Sequence, residues 1–183
     1  GLHDAKNHQP NYTIETLPLA SQGAQLNSNG LQVCIYRDAI KVADGFSNLK
    51  HNNFLPYFMA ALYAKHEQCN DAILLNQYGR VADSTIANVF IIKDDVIYTA
   101  SLQEGCVAGT IRQSLVKELP ALGWQVIEGQ ISEDMLLHAD EVFLTNAIYN
   151  IRWVSGIGKS KYYNRATSKI FQQLAATYPL IIC

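Results

Sequence analysis

A chain of 183 residues, 49% hydrophobic and with a formal net charge of −2, suits one domain with a sizeable buried core. Its 14 Lys and Arg are scattered, with no basic run and no aromatic row beside one, which excludes a nucleic-acid surface from the expectations. No apolar run reaches the roughly 20 residues that span a bilayer, and no charged start leads into an apolar stretch, so a cytoplasmic protein with no membrane partner is expected.

In chain order, the polar residues 1–11 read as a lead-in to a domain over residues 12–183. A strand is predicted over Tyr12–Leu19, stopped by Pro18, then a turn over Leu26–Gly30 and a strand over Leu31–Tyr36. Ala39–Lys50 is irregular. A helix is predicted over Phe54–Gln68, with Asn53 as N-cap and Leu55, Phe58, Met59, Leu62 and Tyr63 forming one apolar face. Strands follow at Ala72–Leu75, Val89–Ile92 and Val96–Thr99, the last two joined by a turn at Lys93-Asp94-Asp95. A helix over Thr110–Leu119 is entered through Gly109. A strand at Trp124–Ile127, a short helix at Ser132–His138, a buried strand at Glu141–Leu144, an extended segment at Ile148–Val154 and a helix over Arg165–Tyr178 complete the chain. The mix predicts an α+β (mixed α/β) fold. Neither GxGxxG nor a P-loop is present. Cys34, Cys69, Cys106 and Cys183 show no CxxC pair or Cys/His spacing, so free thiols and no metal are expected.

Three clusters carry chemistry. Ser47-Asn48-Leu49-Lys50 sets a lysine between a loop and an apolar helix, where it also fits a plain surface charge. Asp83-Ser84-Thr85-Ile86-Ala87-Asn88 follows an acid with small residues, which fits a solvated turn or a flat ligand lying close to the backbone. Gly105–Arg112 leads into a helix whose free N–H groups and positive dipole end favour an anion, though any glycine-led helix start looks alike.

Together the clusters resemble class IV (fold type IV) pyridoxal-phosphate enzymes, which include branched-chain and D-amino-acid aminotransferases and 4-amino-4-deoxychorismate lyases. The matching blocks are Asp83, Thr85, Asn88, Val89 and Phe90; Ile97-Tyr98-Thr99; Val107-Ala108-Gly109-Thr110-Ile111-Arg112; and Ala139–Ala147. They span roughly residues 47–154, in the family's order. The resemblance implies a β-rich pseudo-barrel flanked by helices, pyridoxal 5′-phosphate as cofactor, and a homodimer. It implies that Lys50 attaches the cofactor as a Schiff base, which agrees with a lysine pKa lowered by burial beside the following helix. It implies that Asp83 pairs with the ring nitrogen, that Gly109, Thr110 and Ile111 cradle the phosphate, and that Asn146 and Ala147 lie between phosphate and substrate carboxylate. Asp83 departs from the family's Glu and is shorter by roughly 1.5 Å. Thr110 replaces an aliphatic residue. The family has a smaller N-terminal domain ahead of this part, so a piece of a longer protein is expected.

Asn53, the Arg112-Gln113 pair and the Asn146-Ala147 turn lean toward the lyase, which releases pyruvate and leaves 4-aminobenzoate, a folate precursor. An amino-acid aminotransferase acting on branched-chain or D-amino acids is the alternative. A catalytically degenerate domain is the second.

Overall fold

The computed structural model describes residues 9, 11–18 and 25–177. It contains nine strands and four helices: β1 (Leu31–Tyr36), α1 (Leu55–His66), β2 (Asp71–Leu75), β3 (Val81–Ser84), β4 (Asn88–Lys93), β5 (Val96–Ala100), α2 (Thr110–Glu118), β6 (Gln125–Gly129), α3 (Glu133–Leu137), β7 (Glu141–Asn146), β8 (Asn150–Ile157), β9 (Ser160–Lys161) and α4 (Arg165–Thr177). The strands form one sheet in the order β3-β2-β1-β8-β7-β4-β5-β6, and β3 also pairs with β4. That pairing closes a ring of six strands, with β5 and β6 extending from β4. The fold is the expected α+β pseudo-barrel. The parallel pairs β1–β2 and β5–β6 are joined through α1 and α2 respectively, because parallel neighbours need a crossover.

Alternation along the strands sorts the core. Val33, Ile73, Val81, Val89, Ile91, Val142, Leu144 and Val154 come from all six ring strands and meet in one buried cluster. The intervening residues Phe90, Ile92, Phe143 and Ile151 face outward and pack with Leu115 of α2 and Ile170, Phe171 and Leu174 of α4. On the other side, α1 lies on Tyr36, Ala72 and Leu74.

Most boundaries follow the sequence signals. Asp94 and Asp95 both have positive φ (48° and 62°), the geometry a two-residue hairpin turn with matched strand twist requires. Ser132 caps α3 by accepting the Met135 N–H. Four expectations fail. Residues 12–18 form no strand, and Leu19 lies outside the described residues, as does Tyr178 at the end of α4. Asn53 does not cap α1: Phe54 holds that position without a side-chain bond. The apolar face of α1 is reversed as well. Ala60 and Ala64 meet the sheet, while Leu55, Phe58, Met59 and Leu62 are 42–66% exposed. Small residues let the helix lie close on β1 and β2, and the larger ones are left outside. Of the two readings of the Asp83 cluster, the solvated turn fails: Val81–Ser84 is the buried strand β3.

Candidate active site

A bulge sets the key carboxylate. In β3, Ser84 pairs with Ile73 and Asp83 with Leu74, but Val81 pairs with Leu75, so Ala82 is an extra residue. In an unbroken strand Val81 and Asp83 would share a face. The extra residue leaves Val81 in the barrel and turns Asp83 to the outside. Asp83 pairs with Asn88 and Asn88 with Thr145. The three polar side chains therefore share the outer surface, beside the start of α2.

A cleft of about 870 Å³ opens there, lined by Lys41, Lys50, Tyr57, Asp83, Asn88 and Thr145, by residues 107–111 and by residues 145–149 among others. It brings together every residue to which the resemblance gives a cofactor or substrate role: Lys50, Asp83, Gly109, Thr110, Ile111, Asn146 and Ala147; Asn53, Arg112 and Gln113, which leaned toward the lyase, are not among its lining residues. Asn48 ties the Lys50 loop to the α2 entry. Its Nδ2 donates to Leu102 O (2.9 Å) and Cys106 O (2.6 Å), and its carbonyl accepts from Ala108 N at 2.9 Å.

Asp83 is 2% exposed. Oδ2 accepts from Tyr57 Oη (2.9 Å) and Val107 N (3.0 Å), and Oδ1 from Asn88 Nδ2 (2.9 Å). A carboxylate has about four acceptor sites, so one on Oδ1 is left. Burial pushes its pKa up to about 6, against the lowering effect of the Val107 and Tyr57 bonds and the Lys41 charge. Asn88 also donates to Val107 O at 2.8 Å, which fixes the acid to the α2 entry.

The N-cap position of α2 is Gly109, with extended backbone and no side-chain cap. A Cβ there would collide with Asn88 Oδ1, so only glycine lets the helix start come so close to the strand. Asn146 Oδ1 accepts from Ile148 N (3.0 Å) and Tyr149 N (2.8 Å), which shapes the β7–β8 turn with Ala147 exposed. Thr145 is 1% exposed, and its Oγ1 is buried with no hydrogen-bond partner among the described residues.

Lys50 departs from the sequence argument. Its side chain is exposed where burial was expected. The buried lysine is Lys41, 7% exposed. Neither Lys41 nor Tyr57 was singled out, because one comes from an irregular loop and the other from the side of the helix opposite the face assigned to packing. The orphan hydroxyl of Thr145 was also missed, although the residue lies in a matched block.

A family model described as amino-transferase class IV matches residues 2–157. The chain belongs to that family. Class IV members are pyridoxal-phosphate-dependent enzymes. Over 148 residues the chain is 28% identical to an aminodeoxychorismate lyase of Vibrio harveyi, covering 81% of this chain and 55% of that protein. Over 141 residues it is 33% identical to an aminodeoxychorismate lyase of Bacillus subtilis, covering 75% and 43%. The pyridoxal-phosphate form of a branched-chain amino acid aminotransferase from Thermobaculum terrenum superposes with a TM-score of 0.79 at 22% identity, over 90% of this chain and 54% of that one. The chain spans about half the length of these proteins.

Proposed function

We propose that this class IV chain is the cofactor-bearing part of a pyridoxal-phosphate enzyme, of the aminodeoxychorismate lyase type. The observation that carries the cofactor reading is the convergence, in one cleft, of an amine, a buried carboxylate and an open helix start. The residues fit the group on two counts. No side chain caps the start of α2 at Gly109, so its first N–H groups are left to an anion. Thr145 Oγ1 waits there without a partner, and a buried hydroxyl left so costs about 1–3 kcal/mol.

When bound, pyridoxal phosphate supplies a ring that takes up the electron pair left at a substrate's α-carbon. The chain does the rest. Lys50 would supply the amine that holds the group and the base that moves the α-proton. Asp83 offers its remaining acceptor site on Oδ1 to the ring N–H and holds that proton in place. Backbone N–H groups of Thr110 and Ile111, after Gly109, hold the phosphate. The turn at Asn146 and Ala147 places the substrate carboxylate. The lyase reading is favoured by similarity to two lyases over three quarters or more of the chain. The substrate would be 4-amino-4-deoxychorismate, cleaved to pyruvate and 4-aminobenzoate. Aminotransfer from a branched-chain or D-amino acid to a 2-oxo acid uses the same Lys50 and is the second reading. A homodimer in the cytoplasm belongs to this proposal too; among the described residues no helix is long and apolar enough to cross a membrane.

The test is borohydride reduction of the protein with pyridoxal phosphate, followed by peptide mass mapping. Label on Lys50 is expected, lost in Lys50→Ala with unchanged circular dichroism. Label on Lys41 instead would overturn the assignment. Release of fluorescent 4-aminobenzoate separates the lyase from an aminotransferase, which would consume a 2-oxo acid.

A further inference from the structure

The buried charge the sequence did not point to is Lys41. It sits in the loop after β1, where its N–H donates to Leu75 O at 2.9 Å and its Nζ to Ser47 O at 2.8 Å. The ammonium lies 5.8 Å from the centroid of the Tyr57 ring. The hydroxyl of that tyrosine donates to Asp83 Oδ2. Lys41, Tyr57 and Asp83 thus form a run of contacts from one buried charge to the opposite one, and all three line the cleft.

Every hydrogen-bond donor to Asp83 is neutral: a phenol, an amide side chain and a backbone N–H. The Val107 and Tyr57 bonds lower its pKa most, and the charge of Lys41 adds to them across the Tyr57 ring. Among the described residues no second buried cation is aimed at Asp83. Cys106 stays a neutral thiol, its pKa pushed up to about 12 by burial and the Asp83 charge. Arg112 is turned to Ala100 O and Glu128. Asp44 acts on Lys41 from the same loop. Lys50 and His51 line the cleft but are exposed, so water screens them.

We propose that Lys41 is a positioning residue: its buried ammonium, set against the Tyr57 ring, keeps Asp83 an anion, so that the free acceptor site faces a protonated ring nitrogen as a charge. This rests on the cofactor reading for its purpose, but not for its electrostatics. The pKa directions agree. Burial lowers Lys41 and the Asp83 charge opposes that; burial raises Asp83 and the Lys41 charge opposes that.

A purely structural Lys41 would only staple its loop through Ser47 O. Two substitutions separate the roles. Lys41→Gln keeps a donor and removes the charge; Lys41→Arg keeps the charge. The readout is the carboxyl ¹³C titration of Asp83 in the cofactor-free chain. Lys41→Gln is expected to move the Asp83 midpoint up by about one to two pH units, and Lys41→Arg to leave it nearly in place. At pH 7 the affinity for pyridoxal phosphate should follow the ionised fraction of Asp83, falling about twofold for a shift of one unit and about tenfold for a shift of two, while an analogue with carbon in place of the ring nitrogen binds both forms alike. An unmoved Asp83 midpoint in Lys41→Gln overturns the proposal, as does a moved midpoint with unchanged cofactor affinity. Should Lys41→Gln not fold, the wild-type chain still decides. Its Lys41 Nζ resonance must inflect at the Asp83 midpoint and lose that inflection in Asp83→Asn; a featureless Nζ curve would sink the idea. A wild type that binds no pyridoxal phosphate removes the cofactor reading, and the two titrations still judge Lys41.

Discussion

Asp83 is a carboxylate on which burial outweighs three hydrogen bonds and a cation, leaving its pKa at about 6. The unfolded value is about 3.9. A pKa raised on folding means the native state binds the proton more tightly. The resulting stability is complete below a pH of about 4 and lost as pH rises through about 6. Asp83→Asn cannot titrate. We therefore expect the unfolding free energy of wild type, minus that of Asp83→Asn, to fall by about 2 kcal/mol from pH 4 to pH 7. Urea denaturation across that range reads it, and a flat difference would contradict it. Asp83 itself was legible in the sequence because the matched block names its position. Its burial was not. That depends on one bulged residue, Ala82, and on Tyr57 from α1, neither of which leaves a local pattern. Lys50 is the converse: its place in the cleft was legible from motif order, and its exposure was not.

Elements were legible where local chemistry decides them. The Asp94-Asp95 turn and the Ser132 cap are side-chain and backbone rules acting over a few residues. The apolar face of α1 misled because periodicity reports which residues share a face, not which face the sheet takes. Two elements depend on distant partners and give sharp predictions. Helix α4 starts on Glu141 of β7, whose carboxylate accepts from Ala166 N (2.7 Å), Thr167 N (2.8 Å) and Thr167 Oγ1 (2.7 Å). Glu141→Ala leaves those donors buried near the helix start, so a loss of about 3 kcal/mol is expected in urea unfolding. A loss under about 1 kcal/mol would mean water replaces the cap. At the start of α2, Gly109→Ala forces Asn88 aside. Asn88 is held by Asp83 and Val107 and cannot move freely. A stability loss of about 1–3 kcal/mol is expected, with at least tenfold weaker phosphate-dependent binding in a fluorescence titration. Unchanged affinity would show that the approach of α2 to β4 does not matter to the ligand.

At the scale of the whole molecule, the ring of six strands was expected only through family resemblance. Strand pairing such as β3 with β4 joins residues through the closure of the sheet, and hydrophobic alternation alone does not select it. The closure has a functional consequence. The cleft is walled by the loop around Lys50, the β3–β4 hairpin, the α2 entry and the end of β7. These segments are far apart in the chain and meet only when the ring and its outer helices are formed. A ligand spanning them binds the folded state and not the unfolded one, so it must stabilise the whole fold. At a free concentration one hundred times the dissociation constant the gain is about 2.7 kcal/mol. For a domain of this size that corresponds to a rise of roughly 5–10 °C in Tm. Pyridoxal phosphate is expected to give that rise in differential scanning calorimetry. Pyridoxal, lacking the phosphate, should give distinctly less at the same concentration, because nothing then occupies the α2 start or Thr145 Oγ1. Thr145→Val, which keeps the shape and removes the hydroxyl, should narrow the gap between the two ligands. Equal shifts for pyridoxal and its phosphate in the wild type would place the anion outside this cleft, and with it the role given to Gly109, Thr110 and Ile111.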